Sequence, residues 1–178
     1  EELLKLVNEN EDVFVGAVAM VPMNNISKAI EIIEQQVVPN DKFVGIQLFT
    51  QALDKSIANV KYEPIFIEMS KVDLPIFLHP VFDNSKKDNN ITFSWEYELT
   101  QAMMQIVQAG YFEKYPNLKI IVHHAGAMVP FFAGRIKYTM TDQEYRDFKK
   151  FYVDTAILGN PKALELAIDF FGSEHMVF

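Results

Sequence analysis

The chain has 178 residues, a formal net charge of −8 and no cysteine. Hydrophobic residues make up 49% and aromatic residues 13% of the sequence, which excludes a disordered protein and is enough for a packed core. The acidic balance argues against nucleic acid as a partner. The lack of cysteine excludes disulfides and thiolate ligands and fits a cytoplasmic protein, and no apolar stretch is long enough to predict a membrane span.

Apolar runs predict six short β-strands, in chain order at residues 14–21, 43–49, 75–79, 118–123, 151–154 and 175–178. Their continuous Ile, Val, Leu and Phe content is typical of parallel strands that are buried on both faces. Helical patterns lie between them, at residues 25–37, 62–71, 95–112 and 160–172. This alternation predicts an α/β fold built from stacked βαβ units around a parallel sheet.

No composition shift marks a linker, so residues 1–178 are predicted to form a single domain. Glu1 lies inside a helical pattern, and residues 174–178 begin an apolar strand, so we expect the sequence to be part of a longer protein. The polar segment at residues 84–90 is predicted to be a mobile loop over the carboxyl end of the sheet.

Histidines end two of the predicted strands, where parallel α/β folds place ligands and catalytic groups. Residues 74–80 (LPIFLHP) contain His79, whose imidazole is either a zinc or manganese ligand or a hydrogen-bonded group at the strand edge. The ligand role requires a partner for the second ring nitrogen, which fixes the tautomer.

The second histidine segment is residues 118–126 (LKIIVHHAG), where His123 and His124 are adjacent. Neighbouring residues of a strand point to opposite faces, so only one of these rings is predicted to face a barrel interior. One core and one surface histidine is the alternative interpretation. The next helix is predicted to begin near residues 128–130, and its N-terminus is expected to lower the pKa of a nearby histidine.

Three further side chains are candidates for a site. Arg135 could hold a carboxylate through two parallel hydrogen bonds, although an arginine on a helix is usually a solvated surface group. Asp154 ends the fifth predicted strand and is either a ligand or an acceptor for the following turn. Trp95, the only tryptophan, is assigned to the core or to a pocket wall.

Segments in sequence order resemble the motifs of the amidohydrolase-related decarboxylases, a family that includes aminocarboxymuconate-semialdehyde decarboxylase and γ-resorcylate decarboxylase. The matching segments are residues 13–22 (VFVGAVAMVP), 29–34 and 43–48 (AIEIIE and FVGIQL), 73–80 (DLPIFLHP), 110–120 (GYFEKYPNLKI), 124–136 (HAGAMVPFFAGRI) and 152–156 (YVDTA). Each match is short, but together they cover nearly the whole chain in the family's order.

The resemblance implies a (β/α)8 TIM-barrel-like fold of the metal-dependent hydrolase type, with about six of the eight strands in this chain. It implies one divalent metal, with zinc favoured and manganese possible, bound by His79. His124, six residues before Pro130 as in the family pattern, would be the catalytic histidine. Arg135 would bind the carboxylate of a small-molecule substrate, in some members at a neighbouring subunit's site, which implies a homodimer or a higher homo-oligomer.

The chain also departs from the family pattern. This sequence has no counterpart of the His-x-His metal ligands of the family's first strand or of the aspartate ligand of its last strand, so His79 is the only matching ligand. The stretch between residues 136 and 151 is also short for the family. A lone histidine does not hold a catalytic metal, which usually needs three protein ligands.

The implied function is metal-dependent, non-oxidative decarboxylation of a small aromatic or unsaturated carboxylic acid, with a metal-activated water and a histidine acid/base. Hydrolysis of a small lactone or amide by the same residues is an alternative. A non-catalytic pseudoenzyme or assembly subunit is a second alternative, and metal content would discriminate between it and an enzyme.

Overall fold

The computed structural model describes residues 2–50, 55–81, 85 and 89–178. Its strands are β1 (Ala17–Met20), β2 (Phe43–Phe49), β3 (Ile76–His79), β4 (Ile120–Val122) and β5 (Tyr152–Val153). Its helices are α1 (Glu2–Glu9), α2 (Ile26–Ile32), α3 (Glu63–Val72), α4 (Ser94–Gln108), α5 (Tyr111–Lys114), α6 (Ala133–Thr139), α7 (Asp142–Phe148) and α8 (Pro161–Phe171). A π-helical turn, Ile33–Val37, continues α2.

The five strands form one parallel sheet in which every strand pairs with the next one along the chain. A doubly wound sheet reverses its strand order at a switch point, whereas a barrel adds each new strand on the same side. The sequential order is therefore that of a barrel wall, which confirms the predicted TIM-barrel-like class. The predicted sixth strand is reduced to one bridge between Val153 and Met176, because Ser173–His175 form a 3-10 turn.

The core lies between this sheet and the helices that cover it. Parallel pairing aligns Ile46 with Ile76 and Ile120, and the next row contains Leu48, Leu78 and Val122. All of these side chains are fully buried and belong to one cluster with Ile65, Phe66, Met69, Met103 and Ile106 of α3 and α4. Burial of each such side chain stabilises the fold by about 1.5–3 kcal/mol.

Strand alternation determines which side chains lie on the other face of the sheet. Phe77 and His79 alternate with the buried Ile76 and Leu78 and are only partly buried. They therefore point away from the covering helices, toward the side that becomes the interior when such a sheet closes. This geometry directs His79 to the inner face at the carboxyl end of β3.

Most predicted elements are found, with local differences in their ends. β2 has the predicted bounds, Phe43–Phe49, whereas the helix predicted at residues 95–112 ends at Gln108, two residues before Gly110 with its φ of 67°. The helix predicted near residues 128–130 begins only at Ala133. The loop predicted at residues 84–90 lies largely outside the described residues. No described helix is both long and apolar enough to cross a membrane.

Candidate active site

Three imidazole rings gather at the carboxyl ends of β3 and β4. The ring centroid of His79 lies 4.8 Å from that of His123 and 5.4 Å from that of His124. Trp95, in the first turn of α4, lies 5.6 Å from His79 and stacks on His124 at 6.0 Å. Barrel enzymes place their active sites at this end of the sheet, so we take this histidine cluster as the candidate site.

The prediction that His123 and His124 point to opposite faces is wrong. β4 ends at Val122, and His123 continues its alternation on the inner face, 6.3 Å from the ring of Phe77. His124 adopts a left-handed backbone with a φ of 59°, which breaks the alternation and leaves its ring beside His79. Neither is a surface residue, because the side chains of His123 and His124 are only 25% and 17% exposed.

The turn that carries His124 has an unusual backbone. Four consecutive residues, from His124 to Ala127, have positive φ values of 59°, 52°, 76° and 56°. Such a conformation costs about 1–3 kcal/mol for each non-glycine residue and persists only where the surroundings fix it. Gly126 is required within it, since a Cβ atom there would lie 2.5 Å from Cε2 of Phe171.

Asp154 is one of the groups that fix this turn. Its Oδ2 accepts a hydrogen bond from Nδ1 of His123 at 2.7 Å, and its Oδ1 accepts the backbone N–H groups of Ala125 at 3.0 Å and Ala156 at 3.1 Å. Burial acts to raise the pKa of this carboxyl, but these hydrogen bonds outweigh it and hold the pKa below the usual range. The predicted turn-acceptor role of Asp154 is therefore found in the structure.

His79 has the tautomer and the charge state that a metal ligand needs. Its Nδ1 donates to the carbonyl oxygen of Pro80, so its lone pair is on Nε2. Burial lowers the pKa of His79 more than the Pro80 hydrogen bond raises it, which favours the neutral ring. A neutral imidazole whose other nitrogen is held by a carbonyl is typical of histidines that bind metals.

His124 is paired with a carboxylate from another part of the chain. Its Nδ1 lies 2.7 Å from Oε1 of Glu96, which lies in the first turn of α4. This hydrogen bond raises the pKa of His124, although burial opposes it. The prediction that a helix N-terminus lowers this pKa is wrong, because α6 begins only at Ala133 and Glu96 binds the ring instead.

Sequence reasoning missed Glu96, and the only signal for it is weak. It is an acidic residue beside the single tryptophan, in the helix that follows the strand of His79. Glu96 and His124 are 28 residues apart in the sequence, and nothing in the residues around them indicates a contact between the two side chains.

A cavity of about 510 Å³ opens beside His124. Trp95 and Glu96 form its wall together with the apolar side chains of Ile91, Ile157 and Leu158. Small-molecule sites have volumes of roughly 300–1,000 Å³ and combine apolar walls with a few polar groups, as this cavity does. It can therefore accept a ligand the size of a substituted benzene ring.

Arg135 is not part of this cavity. It is exposed on α6 and lines a separate, largely apolar cavity of about 360 Å³ together with Phe132, Met140 and Phe148. The structure therefore brings His79 and His124 together, and places Arg135 on another surface of the same chain.

The described part of the chain does not contain a complete metal site. Within residues 2–50, 55–81, 85 and 89–178, no three His, Asp or Glu side chains are grouped so that they could hold one metal ion. His79 is thus a single candidate ligand within the described residues.

A sequential parallel barrel wall with histidines at the carboxyl ends of its strands is the architecture of the metal-dependent hydrolase type of barrel. The amidohydrolase family model matches residues 1–178, and the chain belongs to this family.

Curated relatives extend the comparison. The chain is 26% identical over 151 residues to 6-methylsalicylic acid decarboxylase of Penicillium expansum, covering 75% of this chain and 47% of the relative. It is 24% identical over 193 residues to 2-amino-3-carboxymuconate-6-semialdehyde decarboxylase of Dictyostelium discoideum, covering 98% of this chain and 52% of the relative. The chain thus spans about half the length of these relatives.

A solved structure supports the fold. The dihydroxybenzoic acid decarboxylase of Polaromonas sp. JS666, with bound manganese and the inhibitor 2-nitroresorcinol, superimposes with a TM-score of 0.86 at 24% identity. The match covers 99% of this chain and 61% of that chain. At this identity the likeness establishes the barrel fold of this chain.

Proposed function

We propose that the whole protein is a metal-dependent, non-oxidative decarboxylase of a small aromatic or unsaturated carboxylic acid. The observation that carries the proposal is the pairing of His124 with Glu96 on the wall of a cavity sized for one small ring. This pairing gives the cavity an imidazole that can hold and deliver a proton. The activities of the two curated relatives support decarboxylation over hydrolysis.

His124 is the acid/base group in this proposal. With Nδ1 held by Glu96, the proton that moves is on Nε2. The imidazolium donates it to the substrate carbon that bears the carboxylate. The bond between that carbon and the carboxylate then breaks, its electron pair stays with the carbon, and CO₂ leaves. Solvent returns a proton to Nε2. The raised pKa of His124 favours the protonated ring that starts the reaction.

His79 is proposed to contribute one ligand to a divalent metal, zinc or manganese, through Nε2. The remaining ligands are assigned to the part of the fold that the relatives have beyond the half covered by this chain. When bound, the metal supplies a Lewis acid for a substrate oxygen or an activated water. The carbonyl of Pro80 holds the ring of His79 in the required tautomer.

Arg135 is proposed to bind the substrate carboxylate in a second copy of the chain. Its exposed position on α6, away from the cavity beside His124, is compatible with that role and not with a role in its own chain's cavity. The proposal therefore includes a homodimer or a higher homo-oligomer.

The function is tested by CO₂ release from the full-length protein, first stripped of metal and then loaded with manganese or zinc. The substrates are 6-methylsalicylate, a dihydroxybenzoate and a lactone of similar size. Metal-dependent CO₂ release from a carboxylate would support the proposal. Lactone opening without CO₂ release would replace it with the hydrolase alternative, and a protein that binds no metal and turns over no substrate would favour a pseudoenzyme.

The ligand role of His79 predicts a loss of metal affinity. In the full-length protein, we expect His79→Ala to weaken zinc and manganese binding by more than the roughly 10–100-fold that loss of a group behind a ligand causes. Metal per chain after dialysis, measured by elemental mass spectrometry, checks this expectation. His175→Ala removes the chain's fourth histidine, which lies against Tyr152 outside the cluster, and should keep the metal. Equal metal content in both variants would exclude His79 as a ligand.

A further inference from the structure

We infer that Glu96 is a positioning residue that fixes the tautomer and the orientation of His124, so that Nε2 is the atom that exchanges protons. Its catalytic consequence rests on the proposed function, whereas the tautomer itself does not. Glu96 lies outside every motif that carries the family resemblance, and its role follows from the structure alone.

The contact defines which nitrogen carries the proton. A carboxylate oxygen can only accept a hydrogen bond, so the 2.7 Å contact between Oε1 of Glu96 and Nδ1 of His124 requires a proton on Nδ1. The neutral ring then has its lone pair on Nε2. Both nitrogens of a free imidazole can carry the proton, and a partner on one of them is what selects a single tautomer.

Thr100 and Trp95 add contacts around Glu96 and His124. The hydroxyl of Thr100 donates to the carbonyl oxygen of Glu96 at 2.7 Å and accepts the backbone N–H of Met128 at 3.1 Å. It therefore joins the first turn of α4 to the turn that carries His124. The indole of Trp95 lies nearly parallel to the imidazole, with an angle of 22° between the two planes. The ring is thus held at its edge by Glu96 and on one face by Trp95.

The position of Glu96 on α4 favours a carboxylate there. α4 has 15 residues, and Glu96 is the acidic residue of its first turn, where the helix dipole stabilises a negative charge. Asp154 makes a similar contact with His123, but it also accepts two backbone amides and serves the fold of the turn. Glu96 contacts the one histidine that lines the cavity, which makes it the carboxylate that acts on the reacting group.

The test compares Glu96→Ala with wild type in the full-length, manganese- or zinc-loaded protein. Nitrogen NMR of ¹⁵N-histidine-labelled protein should show Nδ1–H for His124 in wild type and a mixture of tautomers in the variant. NMR spectra can be recorded with zinc, which is diamagnetic. We expect kcat for CO₂ release to fall by about 10–100-fold with little change in KM, the size of loss that removal of the hydrogen-bond partner of a metal-bound histidine causes.

Controls separate this role from a structural one. Thr100→Val loosens the same turn but keeps the carboxylate, so its His124 should remain the Nδ1–H tautomer. Asp142→Asn removes an exposed acidic residue from the first turn of α7 and should leave kcat unchanged. If Glu96→Ala does not fold, the isosteric Glu96→Gln replaces it, with an expected kcat between wild type and the fall predicted for alanine.

An unchanged tautomer in Glu96→Ala, or an unchanged kcat in both Glu96 variants, would overturn the inference. A wild-type protein that releases no CO₂ would remove the proposed function instead. The NMR comparison would still decide whether Glu96 selects the tautomer.

Discussion

Replacing His124 by glutamine in the full-length, metal-loaded protein is expected to lower kcat for CO₂ release by about 10²–10⁴-fold, the usual contribution of a positioned acid/base group. The variant loses Nε2, the nitrogen that we propose donates a proton to the carboxylate-bearing carbon. Trp95 and Leu158 line the same cavity and are unchanged in the variant, so we expect KM to change much less than kcat. Steady-state measurement of CO₂ release over a range of substrate concentrations separates the two effects.

A second measurement isolates the proton transfer itself. In D₂O, the wild-type protein should exchange the product's ring hydrogen at the former carboxylate position, because the proposed proton transfer between His124 and that carbon can run in both directions. His124→Gln should lose this exchange while keeping the same metal content. His175→Gln, at the histidine outside the cluster, should retain both activities. Near-normal turnover and exchange in His124→Gln would exclude the acid/base role.

The strands of this protein can be predicted from its sequence because they are short, continuous apolar segments. Residues 43–49 were predicted with the bounds that β2 has, since an apolar run ends there against polar neighbours on both sides. The last strand was not predictable in the same way. Residues 175–178 are equally apolar, but Gly172 has a φ of 91° and the following 3-10 turn leaves a single bridge at Met176.

The candidate site was predictable only in part, because its decisive contacts are not local. His79 follows from the end of a buried strand, and the same reasoning identifies His123 and His124 as a pair. Strand alternation could not anticipate that the backbone turns left-handed at His124, since no glycine marks that position. The direction of the His124 pKa depends on Glu96, which the fold brings to the ring from another helix.

Asp154→Ala is expected to destabilise the fold by about 2–5 kcal/mol, because it leaves two partly buried donors, the backbone N–H of Ala125 and Nδ1 of His123, without their acceptor. The third donor, the backbone N–H of Ala156, is exposed and can bond to water instead. Each unsatisfied buried donor costs about 1–3 kcal/mol. The strained backbone from His124 to Ala127 depends on these hydrogen bonds, so the turn should relax when they are lost. Urea denaturation at neutral pH measures the change in the free energy of unfolding.

The pH dependence of the stability loss in Asp154→Ala would identify the Asp154 carboxylate as the cause of that loss. The pKa of Asp154 is lower in the folded state than the value of about 3.9 expected for an unfolded chain. A group with a lowered folded-state pKa stabilises the fold fully above its unfolded pKa and loses that contribution as the pH falls through its folded pKa. The difference in the free energy of unfolding between wild type and Asp154→Ala should therefore be constant from neutral pH to about pH 5 and should become smaller below about pH 4.

Asp169→Ala provides the matched control, since Asp169 is an exposed aspartate on α8. Surface substitutions of this kind usually change stability by less than about 0.5 kcal/mol. If Asp154→Ala loses no more stability than such a surface substitution, the turn keeps its shape without the carboxylate. A large loss that persists unchanged at acid pH would assign the effect to packing around Asp154 rather than to its charge. A large, acid-sensitive loss would establish that this one carboxylate holds the backbone on which His124 is presented to the cavity.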